Sequence, residues 1–313
     1  MLPLIFRRLL ATIPIMGVVA LFVFAVLHFT PGDPAAILAG DYATPQDIAR
    51  IRAHLGLDRP FLVQVGIWLG QVVRGDLGTS IFSGLPVSTL IKHRAEPTVA
   101  LTILTMLISV LIAVPLGVLA AWKQGSWIDR AVMVFAVSGF SMPVFWLGFL
   151  LVYIFAVQLA VLPVQGYVPL HTGVIPFLRH LILPALTLSL IFMALIARMT
   201  RATMLGVLNE DYIRTAFAKG LASRTVLFRH ALGNAGLPVI TIIGLGFALL
   251  IGGVVVTESV FAIPGIGRLT VDAIIHRDYP VVQGVVLVVS GVYVLINLVV
   301  DLLYVVLDPR IRY

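Results

Sequence analysis

Few residues of this 313-residue chain are of a type and spacing that could carry covalent chemistry. The seven histidines are scattered, with no metal-ligand spacing. There is no cysteine, which excludes disulfides, thiolate metal sites, iron–sulfur clusters and a cysteine nucleophile. No G-x-x-x-x-G-K-[ST] loop is present to cradle ATP phosphates, and neither H-E-x-x-H nor G-x-S-x-G occurs. The G-x-G of Gly244 and Gly246 falls inside an apolar run, where it reads as close helix packing rather than phosphate binding. What remains is a thin set of polar residues in apolar surroundings. Asp301 and Asn297 lie one helical turn apart, either on a solute path, in an interhelical hydrogen bond, or with Asp301 snorkelling toward the inner face. Ser138, Ser141, Met142 and Pro143 form a cluster able to kink a helix and free a carbonyl toward a cavity. His28 and Gln158 sit near the ends of apolar runs, where they can reach water.

The elements that must position these residues are membrane helices. Hydrophobic residues make up 60% of the chain and charged residues 11%, against about 25% charged in an ordinary soluble domain. Too few charges exist to cover a soluble surface. The net charge of +7 brings no aromatic-interleaved basic patch, so no nucleic-acid partner is expected. Six segments reach the roughly 20 apolar residues a spanning helix needs: Leu9–Phe29, Thr98–Trp122, Ala131–Val161, Leu181–Ala197, Leu237–Thr257 and Val281–Leu307. The third is long enough to tilt, and the fourth is short, pinched between His180 and Arg198. No small-x-small cleavage site follows the first, which therefore reads as an uncleaved span.

Charge sets the direction. With the N-terminus inside, the inner segments hold twelve basic residues against four acids, and the outer segments hold nine of each, counting Glu258 as outside. Both termini are expected in the cytoplasm. The expected division is residues 1–97, a first span with an external helical segment; 98–307, a core of five spans with an inner loop at 198–236; and 308–313, a tail.

Three loops have content. In the outer loop Thr44-Pro45-Gln46-Asp47 is a helix start, with Thr44 as N-cap, and Gly56 supplies a left-handed stop. Pro60 starts a second helix that ends near Arg74-Gly75-Asp76-Leu77-Gly78, with Phe61, Val65, Trp68, Leu69 and Val72 on one face. This segment is either a scaffold on the outer membrane face or a docking surface. In the inner loop, Asn209 or Asp211 caps a helix over Tyr212–Lys219 that Gly220 stops, and Ser223 caps a second helix ending near Gly233. Small side chains at Ala216 and Ala218 would let a partner approach, with Arg214 and Lys219 offering charge; an amphipathic helix on anionic lipid has the same pattern. In the third loop Pro264, Gly265 and Gly267 interrupt an apolar run, as a gate, a cavity wall or a re-entrant turn would.

Asp211-Tyr212-Ile213-Arg214-Thr215-Ala216-Phe217-Ala218-Lys219-Gly220-Leu221, followed by Arg229-His230-Ala231-Leu232-x-Asn234-Ala235-x-Leu237-Pro238, resembles the coupling segment of binding-protein-dependent ABC importer permeases, in their dipeptide/oligopeptide/nickel branch. Pro31-Gly32-Asp33-Pro34, Leu55-Gly56-Leu57-Asp58-x-Pro60, Gly75-Asp76-Leu77-Gly78, Phe261-x-x-Pro264-Gly265-x-Gly267-Arg268, Arg277-Asp278-Tyr279-Pro280 and Asp308-Pro309-Arg310-Ile311-Arg312 agree with it. The resemblance spans nearly the whole chain. It departs from the general E-A-A-x-x-x-G form: Arg214 and Thr215 stand where Glu and Ala would be, and Leu237-Pro238 lies further from Gly220.

The resemblance implies an all-α membrane protein with the type I ABC importer permease fold, six transmembrane helices and cytoplasmic termini. It implies pairing with a second, similar permease, two ATP-binding subunits that hold ATP and Mg, and an external solute-binding protein. No cofactor or metal is expected in this chain, and no enzymatic activity. Asp211, Tyr212, Arg214, Thr215, Ala216, Lys219 and Gly220 would couple to the ATPase. Ser141, Met142, Pro143, Glu258, Pro264, Gly265, Asn297 and Asp301 are the candidate gate or solute path. Short peptides are the leading solute, with glutathione, a nickel chelate or a sugar as alternatives. An ATP-independent carrier would need inverted repeats or charged mid-membrane helices, and a membrane enzyme would need a nucleophile, acid–base pair or metal site; neither is evident.

Overall fold

The computed structural model describes residues 2–29, 34–39, 43–54 and 56–307. Pro31-Gly32-Asp33, Leu55 and the tail from Asp308 lie outside them. In chain order the helices are α1 Leu2–Phe29, α2 Pro34–Ala39, α3 Pro45–His54, α4 Phe61–Val73, α5 Val87–Trp122, α6 Trp127–Ser141, α7 Val144–Val152, α8 Val174–Leu208, α9 Asp211–Ala218, α10 Ser223–Thr225, α11 Leu232–Gly253, α12 Val255–Val260, α13 Ile266–Ile275 and α14 Tyr279–Leu307. A π-turn follows α7 at Tyr153–Gln158, and another joins α10 to α11 at Val226–Ala231. Among the described residues four helical segments are long and apolar enough to cross a membrane, or five if the bent pair α6–α7 counts as one.

Two expectations about these helices are corrected. The fourth apolar segment is not short: α8 runs over 35 residues. Leu181–Ala197 is only its apolar middle, and the helix continues through Arg198 and Arg201 because hydropathy changes there while helix propensity does not. The helix at Ser223 does not end near Gly233. Ser223–Gly252 is a continuous helical stretch of 30 residues, and Gly233 meets open space rather than forming a stop.

The chain divides into two compact units, residues 1–96 with 265–295 and residues 97–264 with 296–313. In the first, Val87 and Ile91 of α5 pack with Ile266, Leu269 and Ala273 of α13 and Val281, Val282 and Val285 of α14. The Asp278 carboxylate, buried at the α13–α14 junction, accepts hydrogen bonds from the Ser80 hydroxyl and from the Ile81 (3.0 Å) and Phe82 (3.4 Å) amides, tying the 80–83 turn to that junction. Phe24 of α1 meets Phe61 and Trp68 of α4 at 5.7 and 5.3 Å, and His28 lies against Phe61 at 5.0 Å. The helix start at Pro45 forms as the sequence predicts. Thr44 Oγ1 and N donate to Asp47 Oδ2 at 2.6 and 3.2 Å, and the Asp47 amide donates back to Thr44 Oγ1 at 3.3 Å.

The second unit is organised around α8. Its Leu181, Leu188, Phe192, Met193 and Ile196 meet Leu101 and Met106 of α5, Val239, Leu250 and Val254 on and just after α11, and Phe261 and Ile263. With no water to drive apolar association inside a bilayer, close packing and interhelical hydrogen bonds hold such helices together. Both devices are present. Ser109 of α5 and Ser189 of α8, fully buried, each reach across the α5–α8 seam, Ser189 Oγ donating to Thr105 O at 3.1 Å and Ser109 Oγ to Ser189 O at 3.3 Å. At Gly244 a Cβ would stand 2.2 Å from Val300 Cγ2, so α11 and α14 approach only because that side chain is absent.

Candidate functional site

Helix α9 is built by its own ends. Glu210 occupies the N-cap with extended backbone, its carbonyl accepting from Ile213 N at 3.1 Å; its side chain makes no capping bond. Neither expected side-chain cap forms. The Asn209 amide turns back to Leu205 O at 2.9 Å, and Asp211 is the first helical residue, where its charge favours the positive end of the helix. Similarly Ser223 begins α10 rather than capping it, with Ala222 at the cap. At the other end of α9, Gly220 N bonds to Phe217 O at 2.9 Å and Leu221 N to Ala216 O at 3.3 Å, and Gly220 has φ +78°. This pair of bonds around a left-handed residue is a Schellman motif.

The helix seats on two side chains. Ile213 and Ala216, three residues apart and both buried, lie on one stripe against Val118 and Ala121 of α5, Met204 of α8, and Val226, Leu227, Ala231 and Ala235 on the way into α11. Ala216 is therefore covered by this chain's own core. The expectation that a partner approaches closely there is corrected for Ala216 and stays open for the exposed Ala218. The remaining six residues expected to couple, Asp211, Tyr212, Arg214, Thr215, Lys219 and Gly220, are all exposed on or beside the outward face, together with Phe217. Arg214 pairs with Asp211 at 3.4 Å; both are well exposed, so the pair adds little stability and leaves the charges available. Tyr212 Oη accepts from Asn234 Nδ2 at 2.8 Å, an interaction whose only trace in the sequence is the Asn234 of the second motif block.

The residues expected along a solute path are dispersed. Ser141 ends α6 with its hydroxyl returned to Val137 O at 2.9 Å. Met142 is extended (ψ 133°) and Pro143 starts α7, so α6 and α7 meet at a bend of 103°. Proline has no N–H for the helix ladder and pushes the preceding residue out of the helical region, which accounts for the break. Ser141, Phe140, Val137 and Met133 of α6 face Leu195 and Arg198 of α8 across a shallow groove; Met142 and Pro143 lie outside its lining. Glu258 is completely buried in α12, where Thr98 Oγ1 donates to its Oε1 at 2.5 Å. Phe261 and Ile263 are buried in the α8 core, so the irregular backbone leading to Pro264 is packed in protein. Gly265 is the N-cap of α13. Asn297 and Asp301 remain one turn apart on α14, and one turn further Tyr304 Oη donates to Thr241 Oγ1 of α11 at 2.6 Å. Among the described residues no group of three or more His, Asp or Glu side chains is placed to hold a metal ion.

Residues 113–313 match the family model of the binding-protein-dependent transport system inner membrane component, and residues 1–102 match that of the N-terminal region of such components. The chain belongs to this family. This permease is 54% identical over 309 residues, 99% of each chain, to a probable peptide ABC transporter permease of Sinorhizobium fredii. It is 43% identical over 333 residues, covering both chains fully, to a dipeptide transport system permease of Alkalihalophilus pseudofirmus, and 46% identical over 313 residues, again covering both chains fully, to a glutathione transport system permease of Salmonella choleraesuis. Its fold resembles a chain of the inward-facing MetNI methionine ABC transporter, with a TM-score of 0.59 at 18% identity over 71% of this chain and 97% of that one. The permease is a multi-pass protein of the inner membrane and a transport component of an ABC importer.

Proposed function

We propose that this permease is one of two similar subunits, each with six spans and cytoplasmic termini, that enclose the solute path of an ATP-driven importer for short peptides. The observation that carries this reading is α9: a helix whose buried side is Ile213 and Ala216, presenting Tyr212, Arg214, Thr215, Phe217 and Lys219 on its exposed side. A groove on an ATP-binding subunit is the surface that this mixture of aromatic and basic groups suits. ATP and Mg are held by those separate subunits, and an external binding protein delivers the solute. Closure of the ATPases then biases the two permeases between inward-open and outward-open states, a shift limited by the difference in nucleotide affinity between them. Full-length similarity to peptide and dipeptide permeases supports the peptide class, and the glutathione relative keeps a modified tripeptide within it. On the solute path, Ser141 at the groove and the Asn297–Asp301 turn are the residues of choice.

Purifying the tagged chain from its own cells in mild detergent tests the assignment. A stoichiometric ATPase and a second permease of similar size are expected in the complex. A chain that comes down alone and moves a peptide without ATP would overturn it.

A further inference from the structure

The π-turn Val226–Ala231 and Pro238 bracket the first turns of α11. Each weakens the backbone ladder: the π-turn replaces the regular bonding pattern, and Pro238 has no N–H to give the carbonyl four residues before it, that of Asn234. Asn234 sits between them. Its Nδ2 donates to His230 O, inside the π-turn, at 3.0 Å and to Tyr212 Oη of α9 at 2.8 Å. Among the described residues the other side-chain hydrogen bonds of α9 stay within it, Thr215 to Asp211 O and Arg214 to Asp211. One side-chain amide therefore fastens the outward-facing helix to the base of a membrane helix, between a π-turn and a proline that interrupt that helix's regular bonding.

We infer that Asn234 is a positioning residue that passes displacement of α9 to α11 through the Tyr212 hydroxyl. The inference rests on α9 being the ATPase-facing helix. The apolar contacts under Ile213 and Ala216 have no preferred direction, whereas a hydrogen bond resists displacement along its axis, so Asn234 adds a directional link to the packing there. Motion of α9 thus reaches α11 through Asn234 as well as through the apolar seat, and the Asn234 bond to His230 O carries the π-turn along with it.

The test uses the assembled complex in liposomes, in the cysteine-free background of this chain. A fluorophore on Leu249→Cys, exposed on α11, reports movement of that helix when ATP and vanadate trap the ATPases. In parallel, Thr215→Cys is cross-linked to the ATP-binding subunit. The expected result is that Asn234→Ala and Tyr212→Phe each cut the ATP-driven signal per complex about two- to tenfold, the range for one lost neutral hydrogen bond. The double variant should be no worse than the weaker single one, while the Thr215→Cys cross-link persists in all three. An unchanged signal, additive losses, or no ATP-driven signal in the parent complex overturns the inference while the α9 assignment stands. Failure of the Thr215→Cys cross-link in the parent complex overturns the α9 assignment itself, and this inference with it.

Discussion

Arg201 of α8 grips the carboxylate of Asp129 on α6 with two parallel bonds, Nε to Oδ1 at 2.5 Å and a terminal guanidinium nitrogen to Oδ2 at 2.8 Å. The same carboxylate accepts from Gly125 N at 3.0 Å, so one side chain holds the α5–α6 turn and the α6–α8 seam together. Asp129 is buried and Arg201 is partly exposed. Removing one partner strands the other, which costs about 2–4 kcal/mol for a pair of this burial. Asp129→Ala is expected to lower the unfolding temperature of the purified protein and its level in the membrane, and Arg201→Ala to do so less. A double variant no worse than Asp129→Ala alone would establish the coupling; strict additivity would refute it.

Gly220 ends α9 at φ +78°, with open space where a Cβ would go. A substitution there meets backbone strain rather than a clash. A β-branched residue would cost about 1–2 kcal/mol and unwind the Schellman turn. Gly220→Val should leave the protein in the membrane and abolish solute-dependent ATP hydrolysis in the assembled complex, whereas Gly220→Asn, which tolerates the left-handed region, should retain most of it. Normal hydrolysis and uptake in the valine variant would remove α9 from the coupling role.

The approach of Gly244 to Val300 makes a reciprocal prediction. Gly244→Ala forces a methyl against a stiff β-branched side chain 2.2 Å away and should destabilise the protein by about 1–3 kcal/mol. Val300→Ala in the same chain opens the space and should restore much of the loss in a thermal-unfolding assay. Failure of that second change to help would mean α11 and α14 do not meet there.

The reciprocal cap of α3 is sensitive to pH. The Thr44 hydroxyl, and then its amide, hold the Asp47 carboxyl below the usual carboxylate value. A depressed pKa in the folded state stabilises above the unfolded value and is lost as pH falls through the folded one. The protection of the Asp47 amide, its exchange rate compared with that of an unstructured peptide at the same pH, should accordingly be full at neutral pH and fall as pH drops below about 4, and Asp47→Asn should flatten that dependence. A pH profile unchanged by the asparagine would locate the titrating group elsewhere.

What was legible in the sequence was local. Thr44 and Asp47 lie three residues apart, and Gly220 stands directly after its helix, so propensity and turn chemistry reveal both. Pro143 likewise announces the break after Ser141. Long-range partners leave no such mark. Asp129 and Arg201 are 72 residues apart and each reads as one more inner charge. Glu258 reads as an acid at the end of an apolar run, and nothing in that run marks Thr98, 160 residues away, as a hydrogen-bond partner. The inward turn of Ala216 follows from the positions of α5 and α8, which periodicity in an eight-residue helix cannot supply.

The 35 residues of α8 make a rod roughly 52 Å long, while the hydrocarbon core of a bilayer is about 30 Å thick. From Arg198 to Leu208 the axis advances about 16 Å beyond the apolar stretch, and Met204 on that extension forms part of the seat of α9. The length of one helix thereby sets a stand-off distance. An insertion or deletion in α8 between Arg198 and Met204 would shift the seat of α9 along the axis by about 1.5 Å and turn it by about 100° for each residue, so the platform's height and its bearing change together.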